Sequence, residues 1–343
     1  MTKKAILLLN IGTPDNYHEK SVRHYLREFL NDPRVVDLPV FLRWPLVNLL
    51  IVPFRYKRVV AAYKKIWFES GSPLLIYTKQ LRDALAKKIG DEYQIEFAMR
   101  YGNPSIASVM KKLKAASAIT IVPLFPQYTS AATGSAIEEV LKHVSHDWNI
   151  PQLNISRDFY NHPGFISAYA EIIREHLANK KPDLILFSYH GLPERHLDKS
   201  HCKANCDHVH ACPPVQENNQ YCYRAQCYAT STLLAEVLSL SVNEYSVSFQ
   251  SRLGRTPWIK PYTDVLLSEL IQKGVKRLAI VCPSFVADCL ETLEEINIRA
   301  REQWQTLGGT ELIFIPCLND HITWINALAG MITSESKTCQ MVS

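Results

Sequence analysis

Short apolar runs alternate along the chain with longer segments in which apolar residues recur every three or four positions. The runs stop at glycine, proline or polar residues, as buried parallel strands do. The predicted strands are Ala5 to Leu9, Ile95 to Met99, Ile119 to Pro123, Leu184 to Ser188, Tyr245 to Phe249, Leu278 to Cys282 and Leu312 to Pro316. The predicted helices lie at 18–30, 58–68, 77–88, 105–115, 135–143, 164–178, 224–238, 262–273 and 288–305. This alternation predicts an α/β protein whose parallel sheets are covered by helices.

A weak internal repeat predicts how these elements are divided. The run at 118–127 (AITIVPLFPQ) precedes a helix containing Ile-Glu-Glu, and the run at 278–285 (LAIVCPSF) precedes a helix containing Leu-Glu-Glu. We therefore predict two similar Rossmann-like halves at 1–150 and 151–330, followed by a loose tail at 331–343. Each half is expected to hold a four-stranded parallel sheet flanked by helices. A substrate is expected in the cleft between the halves.

The strand at 184–188 ends in the first candidate catalytic residue. Its apolar run stops at Ser188, Tyr189 and His190, and Gly191 and Pro193 then turn the chain. Open α/β sheets bind ligands at the carboxyl ends of their strands, which is where His190 is placed. The alternative is a histidine that only hydrogen-bonds a loop carbonyl.

Three carboxylates follow the strand at 278–282. Asp288, Glu291 and Glu295 are spaced by three and four residues, so a helix would present them on one face. Such a row could accept protons or bind a cation opposite His190. The alternative is structural, because Asp288 followed by Glu291 also fits a capping box at the start of a helix.

The first half offers groups that suit anions. The hydroxyl-rich segment 126–135 leads into a helix, whose N-terminus could bind an anion. Arg100 and Tyr101 follow the second strand and could bind carboxylates through charge-assisted hydrogen bonds. The other candidates of this kind are Arg55, Tyr63 and Ser72.

Composition and charge limit the kinds of partner that we expect this protein to bind. The 343 residues carry a net charge of +5 without a dense Lys/Arg stripe, so we expect no nucleic-acid partner. The N-terminal apolar run is short and is interpreted as a strand, not an export signal, which predicts a cytoplasmic protein. No apolar run reaches the ~20 residues of a membrane span. The stretch 38–54 is interrupted by Arg43 and three prolines. It either is core, or forms the lip of an apolar pocket or lies on the inner face of the membrane.

The nine cysteines are unevenly distributed, because five of them fall between residues 202 and 227. In a chain without an export signal, such clustering favours metal binding over disulfides. The five clustered residues are Cys202, Cys206, Cys212, Cys222 and Cys227.

Seven ordered motifs resemble the ferrochelatase family, from about residue 5 to about residue 325. They are Leu9-Asn-Ile-Gly-Thr-Pro14, Gly71-Ser-Pro73, Met99-Arg-Tyr-Gly102, Pro126-Gln-Tyr128 with Thr133-Gly-Ser135, Ser188-Tyr-His-Gly-Leu-Pro193, Phe249-Gln-Ser-Arg-Leu-Gly254 with Pro257-Trp258, and Asp288-Cys-Leu-Glu-Thr-Leu293. The resemblance implies a chelatase-like fold and insertion of Fe(II), a substrate, into protoporphyrin IX without a nucleotide cofactor. The products would be protohaem and two protons.

The resemblance also implies roles for individual residues. The family's metal-site histidine falls on His190 and its catalytic glutamate on Glu291, with Asp288 and Glu295 as further acidic groups near the iron. The porphyrin-binding positions fall on Arg55, Tyr63, Ser72, Arg100, Tyr101 and Trp258. Two alternatives stay open, a coproporphyrin ferrochelatase and a non-catalytic tetrapyrrole- or metal-binding protein of the same fold. Because a binding protein has no need of both His190 and Glu291, their joint presence favours the enzyme.

The sequence departs from the family after Pro193, where a Cys- and His-rich insertion replaces the usual Gly-Asp-x-Tyr turn. The insertion occupies the region 196–227. Some bacterial ferrochelatases hold a [2Fe–2S] cluster on such an insertion, and that cluster needs four thiolates. We predict Cys202, Cys206, Cys212 and Cys222 as ligands, with Cys227 as the alternative fourth. Structural zinc and uncoordinated thiols remain competing interpretations, and the oligomeric state stays open.

Overall fold

The computed structural model describes residues 3–200, 212–254 and 256–338, with only the backbone for 334–338. The described chain forms two compact units. The first contains residues 3–125, 129–158 and 325–338, and the second contains 126–128 and 159–324. Each unit is built on one four-stranded, all-parallel sheet flanked by helices, which confirms the predicted fold class.

The sheet of the first unit has its earliest strand near the centre. Its strands are β1 (Lys4–Thr13), β2 (Tyr93–Gly102), β3 (Ala118–Pro123) and β4 (Gln152–Ile155), in the order β2-β1-β3-β4. The side chains of residues 6–9 in β1 are fully buried, as expected for a strand covered on both faces. The edge strand β4 has largely exposed residues and was not among the predicted strands.

Helices cover both faces of this sheet. They are α1 (Glu19–Leu30), α2 (Val40–Pro45), α3 (Val52–Ile66), α4 (Pro73–Ile89), α5 (Ile106–Lys112) and α6 (Ser135–Val144), with π-helical segments at Leu46–Ile51 and Ser130–Gly134. Val109 and Val140 of α5 and α6 pack against Leu7, Leu9 and Ile121 of the sheet. This apolar cluster fixes one layer of helices on β1 and β3.

The second unit repeats the strand order of the first. Its strands are β5 (Leu184–His190), β6 (Tyr245–Gln250), β7 (Arg277–Val281) and β8 (Glu311–Phe314), in the order β6-β5-β7-β8. Its helices are α7 (Pro163–Leu177), α8 (Glu194–Lys199), α9 (Tyr223–Leu238), α10 (Thr263–Gln272) and α11 (Arg301–Thr306), with a π-helical segment at Glu291–Ala300. Leu186, Leu267, Ile280 and Trp304 form the centre of one core cluster.

The strand order places a ligand site at one edge of this second sheet. The chain runs from β5 to β6 on one side and then crosses to β7 on the other side of β5. The loops that leave β5 and β7 therefore diverge, and such a topological switch point opens a crevice at the carboxyl ends of the strands. His190 ends β5, and the loop after β7 leads to Glu291.

The last helix, α12 (Ile322–Thr338), extends into the stretch after residue 330 for which the sequence predicted a loose tail. Ile325, Leu328 and Ile332 are buried. Their spacing of three and four residues puts them on one helical face, so their burial favours continuation of the helix.

Candidate active site

His190 is the last residue of β5, and one nitrogen of its ring is already engaged. Its Nδ1 lies 2.6 Å from the carbonyl oxygen of Gly191. A carbonyl can only accept, so Nδ1 is the donor, and the lone pair of the neutral imidazole is then on Nε2. The half-buried ring meets Phe285 edge-on, with 6.2 Å between ring centroids. The histidine is thus oriented with a basic nitrogen available.

The glycine after His190 allows another chain segment to come close. A side-chain carbon on Gly191 would lie 2.7 Å from the carbonyl oxygen of Gln250 and 3.2 Å from the ring of Trp258. The Gly191 N–H donates to that same Gln250 oxygen (2.8 Å). The Trp258 indole N–H donates to Leu253 O (2.8 Å), so the predicted porphyrin-binding tryptophan is fixed beside His190.

Glu291 begins the π-helical segment that follows β7. The Gln250 side-chain amide donates to the Glu291 carbonyl oxygen (2.8 Å), which ties this helix to the end of β6. Burial raises the pKa of the Cys289 thiol, and the Glu291 carboxylate, hydrogen-bonded to that thiol, raises it further. Gln250 therefore forms hydrogen bonds to the backbone of both Gly191 and Glu291.

Glu295 lies one turn along the same segment, and its carboxyl group has a raised pKa. Burial raises its pKa, whereas the hydrogen-bonded Ser251 hydroxyl and Arg299, 3.4 Å away, lower it. Glu291 raises the pKa of Glu295 and His190 lowers it, so the three groups are electrostatic neighbours. A basic imidazole beside two carboxylates can accept protons and bind a divalent cation.

Asp288 has a carboxylate that is already hydrogen-bonded within the protein. It precedes the helix and is buried, and its carboxylate accepts hydrogen bonds from Thr292 Oγ1 (2.8 Å) and Asn319 Nδ2 (2.8 Å). Burial raises the pKa of Asp288. Its backbone N–H donates to Asn319 Oδ1 (2.8 Å), so the predicted capping box with Glu291 does not form. Asp288 anchors the segment after β8 to the start of the helix, and its role near the iron stays a prediction.

Arg55 and Tyr63 both lie on α3 in the first unit. Burial lowers the pKa of the half-buried Arg55 guanidinium, and the neighbouring Arg58 lowers it further. Tyr63 is buried, with its ring edge-on to Trp67 at 5.8 Å. A partly desolvated guanidinium is suited to a carboxylate on an otherwise apolar ligand.

Ser72, Arg100 and Tyr101 use their polar atoms within the protein. The Thr13 hydroxyl donates to Ser72 Oγ (2.8 Å), and both side chains are buried. Arg100 forms an ion pair with Asp32 (2.7 Å), to which the Tyr101 hydroxyl also donates (2.9 Å). Burial and the adjacent carboxylate raise the pKa of Tyr101 well above its usual value. These three residues are parts of buried networks.

Sequence reasoning missed several residues of these networks. Asp32 lies in an Asn-Asp-Pro turn that shows no metal or catalytic spacing, and only the fold reveals its partners. Gln250 and Ser284 stand inside the quoted motifs or beside them, but a motif does not reveal which backbone groups a side chain holds. Tyr223 lies within the region 196–227, where the usual turn pattern is absent.

The stretch 38–54 is helical and largely apolar on its surface. Val40 (64% exposed), Phe41 (72%) and Phe54 (81%) are the most exposed of its apolar side chains. Arg43, which interrupts the apolar run in the sequence, is buried and donates to Leu38 O (2.7 Å). The Arg43 guanidinium therefore points into the protein, and the exposed side chains of this stretch are largely apolar. Within the described ranges, no helix is long and apolar enough to cross a bilayer.

Three cysteines of the insertion region are described, and Cys202 and Cys206 lie outside the described residues. The Cys212 and Cys222 thiols are hydrogen-bonded to each other. The buried Arg224 guanidinium donates to Cys212 Sγ (3.0 Å) and lies over the ring of Tyr228 (4.8 Å).

Neither the thiols nor the carboxylates form a complete metal site in the described part of the chain. No group of three or more His, Cys, Asp or Glu residues there is arranged to hold a metal ion. The cysteine site and the iron-binding site therefore remain predictions.

Comparison with solved structures identifies other chelatases with this fold. SirB from Bacillus subtilis with Fe3+ superposes with a TM-score of 0.56 at 13% identity, covering 99% of this chain and 98% of that one. The sirohydrochlorin chelatase SirB from Bacillus subtilis subspecies spizizenii, in complex with cobalt, gives a TM-score of 0.55 at 11% identity over 98% and 96% of the two chains. At such identities the likeness shows the fold alone.

Sequence comparison identifies the family more specifically than the structural comparison does. The ferrochelatase of Legionella pneumophila (strain Lens) is 52% identical over 333 residues, which cover 97% of this chain and 99% of the relative. The ferrochelatase of Coxiella burnetii (strain Dugway 5J108-111) is 49% identical over 332 residues, covering 96% and 93%. The sequence model of the family named Ferrochelatase matches residues 3–336. This chain therefore belongs to the ferrochelatase family, the metal chelatases that insert Fe(II) into a porphyrin in haem biosynthesis.

Proposed function

We propose that this ferrochelatase acts on protoporphyrin IX, forming protohaem and releasing two protons, with His190 and Glu291 as its catalytic residues. The observation that carries the proposal is the imidazole whose Nε2 is available beside Glu291 and Glu295, at the carboxyl edge of β5 and β7. Metallation removes two pyrrole protons, and a neutral imidazole accepts protons near neutral pH. Carboxylates replace the water ligands of the incoming iron.

We propose three roles for the other predicted residues, namely contact with the porphyrin, shaping of the pocket and support of the catalytic helix. Trp258 is proposed to contact the macrocycle, because its ring lies close to Gly191. Arg55 and Tyr63 are proposed to receive a propionate and a face of the porphyrin. Ser72, Arg100 and Tyr101 are proposed to shape the pocket, since their polar atoms already bond to protein groups. Asp288 is proposed to support the helix that carries Glu291, since its carboxylate is bonded to Thr292 and Asn319.

The exposed apolar residues of 38–54 favour protoporphyrin over coproporphyrin. Protoporphyrin carries two propionates, whereas coproporphyrin carries four and is more soluble in water. An enzyme that collects the more apolar substrate benefits from an apolar surface that can meet a membrane. Phe41 and Phe54 provide such a surface.

An anaerobic assay with Fe(II) and each porphyrin in turn tests the proposed substrate. We expect haem formation with protoporphyrin at a kcat/KM at least about tenfold above that with coproporphyrin, a difference of about 1.4 kcal/mol in transition-state binding. A preference for coproporphyrin would keep the chemistry and reject the proposed substrate. Tight porphyrin binding without metallation would favour the non-catalytic alternative.

We further propose that 38–54 rests on the inner face of a membrane. Residues 38–68 contain no acidic residue, and four exposed cations follow the apolar stretch, namely Lys57, Arg58, Lys64 and Lys65. A basic surface next to an apolar one suits anionic lipid, where each cation adds about 1 kcal/mol of attraction.

Vesicle binding is expected to depend on Phe41 and Phe54. The double variant Phe41→Ser/Phe54→Ser should bind vesicles of phosphatidylglycerol and phosphatidylcholine at least about tenfold more weakly, because each buried Phe contributes about 1.5–3 kcal/mol. Trp148→Ser is the matched control, since Trp148 is 98% exposed but lies in the turn before β4. Equal co-sedimentation of all three proteins would reject the membrane proposal.

We also propose a [2Fe–2S] cluster on Cys202, Cys206, Cys212 and Cys222, with Cys227 as the alternative fourth ligand. The support within the described residues is the contact between Cys212 and Cys222 and the buried cation of Arg224 on the Cys212 sulfur. A positive charge beside sulfur ligands favours an anionic thiolate complex. The cluster would brace the insertion, because iron insertion transfers no electron.

Cys212→Ser is expected to lose any bound cluster. Protein purified without air should show long-wavelength absorbance, iron and acid-labile sulfide, and the variant should lose all three. Cys282→Ser is the control, because its buried thiol donates to Gln250, a bond that a serine hydroxyl can make. An unchanged spectrum in Cys212→Ser would exclude Cys212 as a ligand. Zinc in a colourless wild-type protein would favour the structural zinc site.

A further inference from the structure

The backbone of His190 is held by a closed ring of three hydrogen bonds. The His190 N–H donates to Ser284 Oγ (3.1 Å), and the Tyr223 hydroxyl donates to the His190 carbonyl oxygen (2.9 Å). The hydroxyls of Ser284 and Tyr223 are hydrogen-bonded to each other. Because the Tyr223 hydrogen is committed to the carbonyl, its oxygen accepts from Ser284, and the ring closes around one residue.

The sheet itself leaves these two backbone groups without strand partners. Gly191 donates toward β6, so the N–H and C=O of His190 point to the opposite side, toward β7. The last pair between β5 and β7 is Phe187 with Val281, so β7 ends before it reaches His190. Backbone polar groups of a largely buried strand need partners, and here two hydroxyls supply them.

The ring joins three separate elements. His190 ends β5, Ser284 lies in the loop between β7 and Glu291, and Tyr223 is the first residue of α9. Tyr223 is buried and its hydroxyl also contacts the thiol of Cys227. These contacts restrict the movement of the Tyr223 side chain, so its hydroxyl can fix the position of His190.

We propose that Tyr223 and Ser284 are positioning residues for iron insertion, which set the location of His190 Nε2 by holding its backbone. The inference rests on the proposed catalytic role of His190. The hydrogen bond from Nδ1 to Gly191 O fixes the rotation of the imidazole. The hydrogen bonds to Ser284 and Tyr223 fix the backbone that carries this side chain. Proton transfer depends on such placement, because a displacement of about 1 Å can reduce a rate by about 100-fold.

Tyr223→Phe and Ser284→Ala test the proposal. Each variant should lower kcat by about tenfold or more and leave the KM for porphyrin unchanged, because neither side chain is proposed to contact the substrate. Either substitution opens the ring, so the double variant should lose little more than one single variant does. Such non-additivity is expected only of groups that act together. If Tyr223→Phe fails to fold, Ser284→Ala, at a half-buried loop position, carries the test.

Tyr189→Phe is the matched control. Its phenol is also buried, directly precedes His190, and is hydrogen-bonded to Ser231 Oγ (2.8 Å) outside the ring. It should lower the melting temperature about as much as Tyr223→Phe does, without the loss of kcat. Equal kcat values for Tyr189→Phe and Tyr223→Phe would overturn the positioning role.

His190→Ala, measured in parallel, separates failure of this inference from failure of the proposed function. If His190→Ala loses turnover while Tyr223→Phe and Ser284→Ala keep the wild-type kcat, the positioning role is rejected and the catalytic role stands. If His190→Ala keeps normal turnover, the proposed role of His190 is rejected, and the positioning inference with it.

Discussion

Replacing His190 with alanine is expected to slow iron insertion by about 10²-fold to 10⁴-fold, the range typical of a lost general base. The Nδ1 hydrogen bond to Gly191 O leaves Nε2 as the basic atom, and Glu291 and Glu295 are its electrostatic neighbours. An alanine cannot accept a pyrrole proton or contact the iron. The residue is half-buried at a strand end, so the melting temperature should change little.

The measurement is the initial rate of haem formation under anaerobic conditions, with thermal unfolding followed on the same samples. His321→Ala is a suitable control, because His321 is also partly buried in the second unit but lies near Glu175 (3.4 Å) and outside the site. It should retain the wild-type rate. A normal rate in His190→Ala would remove this histidine from the mechanism.

The class of both four-stranded sheets was predictable, because seven of their eight strands carry apolar residues either in short runs or in alternation with polar ones. The exception is β4, Gln152–Ile155, which is short, polar and largely exposed. An edge strand needs no apolar run, since only one side pairs with a neighbour. Its pairing with β3 is set by the tertiary structure, which a local pattern does not record.

The position of His190 was predictable for a different reason. A parallel strand that ends in polar residues places those residues at the ligand-binding edge of the sheet. In the structure, His190 lies at this edge, beside the switch point between β5 and β7. The direction of a side chain is harder to predict. Arg43 looks like an interruption of an apolar surface, yet it turns inward to Leu38 O. Asp288 shares the helical spacing of Glu291, yet it is buried and bonded to Asn319.

The π-helical segment was not predictable from spacing. Residues 288–305 have the spacing of an ordinary helix, and nothing in that pattern indicates the wider turn over Glu291–Ala300. π-Helical turns are rare and occur frequently at functional sites. The wider turn keeps Glu291 and Glu295 as neighbours beside His190. It starts after Asp288, whose carboxylate is bonded to Thr292 and Asn319.

Glu291→Gln is expected to slow turnover by about 10²-fold or more with little change in melting temperature. The substitution keeps the size of the side chain and removes its charge, so it can neither take up a proton as a carboxylate does nor attract iron as strongly. Two bonds that stabilise the helix survive it. Gln250 still donates to the backbone carbonyl of residue 291, and a side-chain oxygen still accepts from the Cys289 thiol.

Asp288→Asn, made beside Glu291→Gln, separates catalysis from support of the helix. The Asp288 carboxylate accepts from Thr292 and Asn319, and an amide would place a donor against one of these donors. We expect a loss of about 1–3 kcal/mol in stability, with a smaller fall in rate than for Glu291→Gln. If Glu291→Gln instead lowers the melting temperature and leaves the rate unchanged, Glu291 serves the helix. Because Asp288 donates its N–H to Asn319 and not to Glu291, the opposite outcome is expected.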